Sequence, residues 1–329
     1  MNTRRNAIPP GVEYHRVLAG ETRQIGRGIL AIVLLVGGMF FFNILFPAVA
    51  MLVEGGPSAD GGVAYTPLFH AAGLAAVAML LPWSMLIQRV LYGVKGASLH
   101  SVVSSFRFDI FGRALLVIIP VWTVVTAVLY WAPLPEHTLS NTDVVWFLLA
   151  TLLLTPLQGA GEEYGFRGLI LRVAGGWARG ARSGIVVAII VSSVLFAIVH
   201  LSNDLLLNLN YLFFAIGIAV VTWRTGGIEI AVVLHAGFNT LGFLFDAALH
   251  VDVIAAYDRS AGVWSATTLL PAAVVVLTAL VVWFRTRRTG PALTPSPLGL
   301  HGAGNPAQPG TDAPPAPAAR AEKSAAGRN

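Results

Sequence analysis

A chain of 329 residues that is 56% hydrophobic and only 11% charged, with a mean hydropathy of +0.72, falls outside the soluble domains, which carry about 25% charged residues. The net charge of +5 does not point to nucleic acid, because the basic residues sit at the ends of apolar runs, where they report membrane topology. No cysteine is present, which excludes thiol catalysis, disulfides and thiolate metal sites.

Eight apolar runs follow one another along the chain, at about 28–53, 67–92, 111–132, 144–173, 184–202, 206–223, 227–249 and 265–285. Each can cross about 30 Å of hydrocarbon. A lone span satisfies its backbone only within itself, so all eight are expected to be helices. The expected fold is an all-α, polytopic membrane helix bundle. The first run ends near "AVA" (48–50), which resembles a signal-peptide cleavage site, but its apolar core exceeds the roughly 7–15 residues of a signal peptide. It reads as a retained span. The segment 98–113, "SLHSVVSSFRFDIFGR", mixes apolar and polar residues and is expected along the cytosolic interface.

With a cytosolic N-terminus, all 21 Lys and Arg residues except Arg167 and Arg259 fall on inside segments. That asymmetry supports the eight-span count and puts both termini in the cytosol. Residues 1–27 then form a cytosolic N-terminal segment and 28–290 the transmembrane domain. Residues 291–329, rich in Pro, Ala and Gly and without a packing pattern, form a disordered cytosolic tail.

Inside the apolar runs lie polar groups that a bilayer penalises by several kcal/mol each unless they are paired or solvated. The fourth run carries Glu162, Glu163 and Arg167 in "GAGEEYGFRGLIL" (159–171). The fifth carries Phe196 and His200 in "FAIVH", and the seventh His235 and Asn239 in "HAGFN". Helical rise puts Glu162 roughly 15 Å from Arg172, His200 roughly 27 Å from Arg182, and His235 and Asn239 roughly 17 and 22 Å from Arg224. The depths overlap within about two turns, so one hydrated cavity could solvate all of them. Glu163 and Arg167, four apart with the acid first, suit an ion pair. Glu162 points about 100° away and is left free for chemistry. Burial of such a carboxylate would make it a better base. His235 and Asn239 share a face, and both can donate to an oxyanion. Other readings stay open at this point. Gly159, Gly161, Gly165 and Gly168 allow a loop around the glutamates, and a histidine in a membrane helix is often a helix–helix hydrogen-bonding residue.

"EEYGFR", "FAIVH" and "HAGFN", in this order, resemble the EExxxR, FxxxH and HxxxN motifs of the CPBP family, the CAAX prenyl proteases and bacteriocin-processing or immunity proteins. No motif position departs from the pattern, and the resemblance covers about residues 144–249. It implies an eight-helix intramembrane endopeptidase. By that resemblance Glu162 activates water with help from His200, His235 and Asn239 stabilise the tetrahedral oxyanion, and Glu163 and Arg167 are needed for the site. No cofactor is favoured. Zinc held by Glu162, His200 and His235 is left open, although no HExxH pattern is present. The expected partners are the lipid bilayer and a peptide or membrane-protein substrate, with no nucleic acid. High Ala, Gly and Arg content points to a bacterial cytoplasmic membrane. A non-catalytic immunity or binding protein of the same family is the alternative. A proton-coupled transporter fits less well, because the polar set occupies three spans without an inverted repeat.

Overall fold

The computed structural model describes residues 8–56, 64–132, 134–136 and 139–296. Among them the chain is all-helical, and eight helices are long and apolar enough to cross a membrane. These are α1 (Ile25–Val53), α2 (Pro67–Tyr92), α3 (Phe108–Leu129), α4 (Asn141–Gly175), α5 (Ala181–Val199), α6 (Leu205–Thr225), α7 (Glu229–Ala248) and α8 (Ala266–Thr286). Each lies within a few residues of the run expected from hydropathy.

Local chemistry sets the ends. Ser140 and Asp204 accept hydrogen bonds from the backbone N–H groups of Asp143 and Leu207, capping α4 and α6. Gly93 and Gly226, both left-handed, close α2 and α6. Helix α2 breaks at Met79, where Pro82 removes the N–H that would have bonded to Ala78.

Helix α4 is the centre of the bundle. It packs along its length between α2 and α7, while α3 covers α7, and α5 and α8 flank α6. Two glycines allow this close packing. A Cβ at Gly159 would lie 2.8 Å from Cα of Ala236 on α7, and one at Gly161 would collide with the carbonyl of Val77 on α2. Small residues at such crossings let backbones approach, as membrane helices require. The glycines beside the glutamates are therefore contact surfaces of a continuous helix, and the loop reading is set aside. After Glu163 the helix widens into a π-helical stretch, Tyr164–Ile170, before resuming as α-helix. Outward faces carry bare apolar side chains, such as Leu116, Leu153 and Ile44, as a lipid-facing surface demands.

Two expectations change. The segment 98–113 does not lie flat on the outside. Ser98, Leu99, Ser101 and Val102 are buried, Val102 N donates to the Gly226 carbonyl at 2.7 Å, and Ile228 N donates to that of His100 at 3.1 Å. Residues 98–102 are tucked against the turn between α6 and α7 and tied to it by these backbone hydrogen bonds, while 108–113 form the start of α3. Arg172, read from sequence as a topology charge, is fully buried. Its guanidinium stacks 3.9 Å over Tyr14 and donates to the carbonyl of Ser98 at 2.5 Å. Burial pushes the Tyr14 phenol up to about 12, with Arg172 opposing the shift.

The packed body also passes the 28–290 limits. Val12 and Thr294 pair through Thr294 N to Val12 O at 2.8 Å, and Tyr14, His15 and Val17 are buried. Residues 1–7 of the N-terminal segment and 297–329 of the expected tail lie outside the described residues.

Candidate active site

Glu163 is the hub of the charged cluster. Its side chain is fully buried, and its Oε1 accepts from Arg167 Nη1 at 3.0 Å and from His235 Nδ1 at 2.6 Å. An oxygen that already receives an arginine is a carboxylate acceptor, so His235 donates through Nδ1–H. In the neutral ring the Nε2 lone pair is then left facing the second acid. Glu162 Oε2 lies 3.8 Å from that Nε2.

Glu162 is the less satisfied acid. Its Oε1 accepts from the amide of Gln158, one turn earlier, and its side chain retains 12% exposure against none for Glu163. Gln158 in turn accepts from Asn239 Nδ2 at 3.1 Å. Asn239 therefore reaches Glu162 through Gln158, and the amide's second N–H remains to donate elsewhere. Gln158 is absent from the sequence-based set. Its place four residues before Glu162, on the same helical face, was the available signal.

His200 sits at the C-terminal end of α5, one residue past its last turn. Its Nδ1 donates to the Phe196 carbonyl at 2.7 Å, which also leaves Nε2 with its lone pair. The imidazole stacks on Tyr211 with centroids 3.9 Å apart. No direct hydrogen bond joins His200 to Glu162 among the described residues. The link is Phe196, whose ring lies 4.7 Å from His200, 5.8 Å from His235 and 4.2 Å beneath the Arg167 guanidinium. Such cation–π contact is worth about 2 kcal/mol when desolvated. Phe196 thus covers the buried arginine and spaces the two histidines. A sequence reading sees it only as packing beside His200.

The structure brings Glu162, Glu163, Arg167 and His235 into contact, adds Asn239 through Gln158, and holds His200 alongside through Phe196. Both histidines anchor Nδ1 and leave Nε2 free, the arrangement that suits proton handling or metal ligation. Glu162 and His235 approach as a pair, but among the described residues no three His, Cys, Asp or Glu side chains converge closely enough to hold a metal ion. The donor set does not fit a zinc centre, which takes three or four ligands at about 2.0–2.3 Å. Buried polar atoms without partners remain at Glu163 Oε2, Arg167 Nε and Nη2, and Ser193 Oγ. They are places that ordered water commonly fills.

Two comparisons with known proteins fall on this region. Residues 141–241 match the family model described as type II CAAX prenyl endopeptidase Rce1-like. Over 107 residues the chain is 33% identical to "Uncharacterized protein YyaK" of Bacillus subtilis (strain 168), a match covering 31% of this chain and 34% of that protein. The match thus spans about a third of the relative's length. The family-model match and the eight apolar helices support an integral membrane protein. Residues 141–241, which hold all three motifs and the whole charged cluster, are the part of the chain that is similar to the Rce1-like type II CAAX prenyl endopeptidase model.

Proposed function

We propose that this protein is an intramembrane endopeptidase in which Glu162 activates the hydrolytic water. The observation that carries the reading is the unequal satisfaction of two adjacent acids. Glu163 is tied to Arg167 and His235, whereas Glu162 has one neutral donor and faces His235 Nε2 across 3.8 Å.

In this mechanism the Glu162 carboxylate takes a proton from a water that His200 Nε2 orients by accepting its other hydrogen. The water oxygen attacks the peptide carbonyl. Asn239 donates its free N–H to the developing oxyanion. His235 donates through Nε2 when the ring carries both protons. Collapse of the intermediate breaks the C–N bond, and protonated Glu162 returns its proton to the leaving amine. Glu163 and Arg167 hold His235 and Phe196 in place. No metal takes part in any step. Elemental analysis of purified active protein checks this: stoichiometric zinc, with activity lost on chelation and restored by zinc, would overturn it.

A binding-only protein would have no need of an under-satisfied acid beside two histidines anchored through Nδ1. The substrate is a peptide or a membrane-protein terminus, the membrane is a bacterial cytoplasmic one, and both termini are cytosolic. Comparative proteomics of membranes carrying wild-type or Glu162→Gln protein tests the function. New termini dependent on Glu162 are expected, and identical terminal profiles would remove the peptidase reading.

A further inference from the structure

Hydrolysis consumes one water for every bond cut, and Glu162 lies in the interior of an apolar bundle. A cavity of about 400 Å³ opens elsewhere, between the start of α2, the start of α4 and the end of α7, with His70, Phe147, Phe243 and Asp246 among its walls. The polar side chains between that cavity and Glu162 form a line.

His70 borders the cavity and bonds through Nε2 to Thr151 Oγ1 at 3.1 Å, with Tyr65 on its other nitrogen at 2.7 Å. Thr151 is fully buried, and so is Thr155 one turn on. The next members are Gln158 and Glu162. From Phe147 the steps are four, four, three and four residues, which keep one face of α4. Helix α7 runs alongside. Phe243 and Asp246 line the cavity, and Asn239, one turn earlier, reaches Gln158. From Thr151 to Glu162 the rise is roughly 16 Å.

Thr155 marks the gap in this line. A threonine inside a helix ordinarily bonds its hydroxyl back to the carbonyl four residues earlier. Thr123, Thr225, Thr278 and Thr286 do so here, whereas Thr126, Thr155 and Thr222 do not, and of these three Thr155 is the one on this line. Its Oγ1 is buried without a partner. A buried hydroxyl left unpaired is destabilising. A water at this place would remove that cost, and it needs two to four polar partners. Thr151, Thr155 and Gln158 are the groups that can supply them.

We propose that the polar seam between α2, α4 and α7 is a water path, admitting water from the cavity at the 64–70 and 243–254 end of the bundle to Glu162. The proposal rests on the reading of Glu162 as the base, and it gives that base its co-substrate. Residues such as Thr151 and Thr155 then belong to the enzyme's water supply, although neither touches the peptide.

The absence of cysteine allows a direct test. Full-length single-cysteine variants Thr155→Cys and Leu153→Cys, in lipid nanodiscs, are exposed to hydroxyl radicals made by radiolysis of water, and thiol oxidation is read by mass spectrometry. Leu153 is 68% exposed on the apolar outer face of the same helix and reports a lipid environment. Oxidation at Thr155→Cys about ten-fold faster than at Leu153→Cys is expected, because radicals form in the adjacent water. Equal rates, with both proteins folded, would overturn the path. In parallel, Thr155→Val, which keeps shape and removes the hydroxyl, should lower kcat several-fold at unchanged KM. Unchanged kcat would also overturn it. The oxidation readout does not need activity, so fast labelling of a protein that cleaves nothing would keep the path and remove only the peptidase reading.

Discussion

Two buried carboxylates at opposite ends of one electrostatic scale explain how this bundle separates structure from chemistry. Glu229, in the first turn of α7, has a fully buried side chain and accepts three hydrogen bonds from Arg107, from its backbone N at 3.0 Å, Nε at 2.8 Å and Nη2 at 2.7 Å. The positive end of the helix adds to that satisfaction. Glu162 sits mid-bundle with one amide donor and a histidine 3.8 Å away. Glu163 stands between them, with one oxygen doubly engaged and the other unpaired. A saturated buried acid has nothing left to offer a substrate, and an unsaturated one does. Removing either acid should therefore have opposite consequences.

The sharpest way to break this contrast is to neutralise Glu162 and to strip Glu229 of its cation. Glu162→Gln should keep the folded yield and lose activity by about 10³-fold or more, within the range for general-base removal. Arg107→Ala should do the reverse, costing about 3–5 kcal/mol of stability because it strands Glu229. Denaturation midpoints measured beside turnover check both, and matching behaviour of the two variants would erase the distinction. Arg167→Ala should fall between them. It leaves Glu163 without its cation and uncovers Phe196, costing about 3 kcal/mol of stability and lowering activity with it.

Next in size is Asn239→Ala, expected to cost about 10²-fold in turnover while leaving the midpoint nearly unchanged, as loss of one oxyanion donor does. Gly159→Ala presses a methyl against Ala236 and should cost about 1–3 kcal/mol by overpacking. Because that crossing sets the distance from Glu163 to His235, activity should fall further than stability alone explains. Tyr14→Phe is the smallest. It removes the bond from the phenol to the Leu99 carbonyl, worth about 1 kcal/mol, and should leave turnover per folded molecule untouched.

Much of the fold was legible because hydropathy and span length are properties of each segment alone. The helices begin and end near the expected positions, and the four-residue spacing of Glu163 and Arg167 does produce their contact. What depended on how helices rotate against each other was not legible. The bond from His235 to Glu163 joins residues 72 apart, and nothing in either helix by itself selects Glu163 over Glu162. Gln158 looked like an ordinary polar residue until Asn239 was brought against it. Arg172 misled for another reason: an arginine at the end of an apolar run has the same sequence pattern whether it snorkels to the surface or stacks in the core on Tyr14. The segment 98–113 was misplaced because its burial depends on backbone bonds to Gly226 and Ile228, which lie more than 100 residues away.

The central claim is that Glu162, and not its neighbour, takes the proton from water. The direct measurement is peptide-bond cleavage by purified Glu162→Gln and Glu163→Gln proteins in lipid nanodiscs, each paired with its thermal midpoint and compared with wild type. Glu162→Gln is expected to keep the wild-type midpoint and cleave nothing measurable, while Glu163→Gln is expected to lose midpoint and activity together as His235 and Arg167 lose their shared acceptor. Wild-type cleavage by a stably folded Glu162→Gln protein would contradict it.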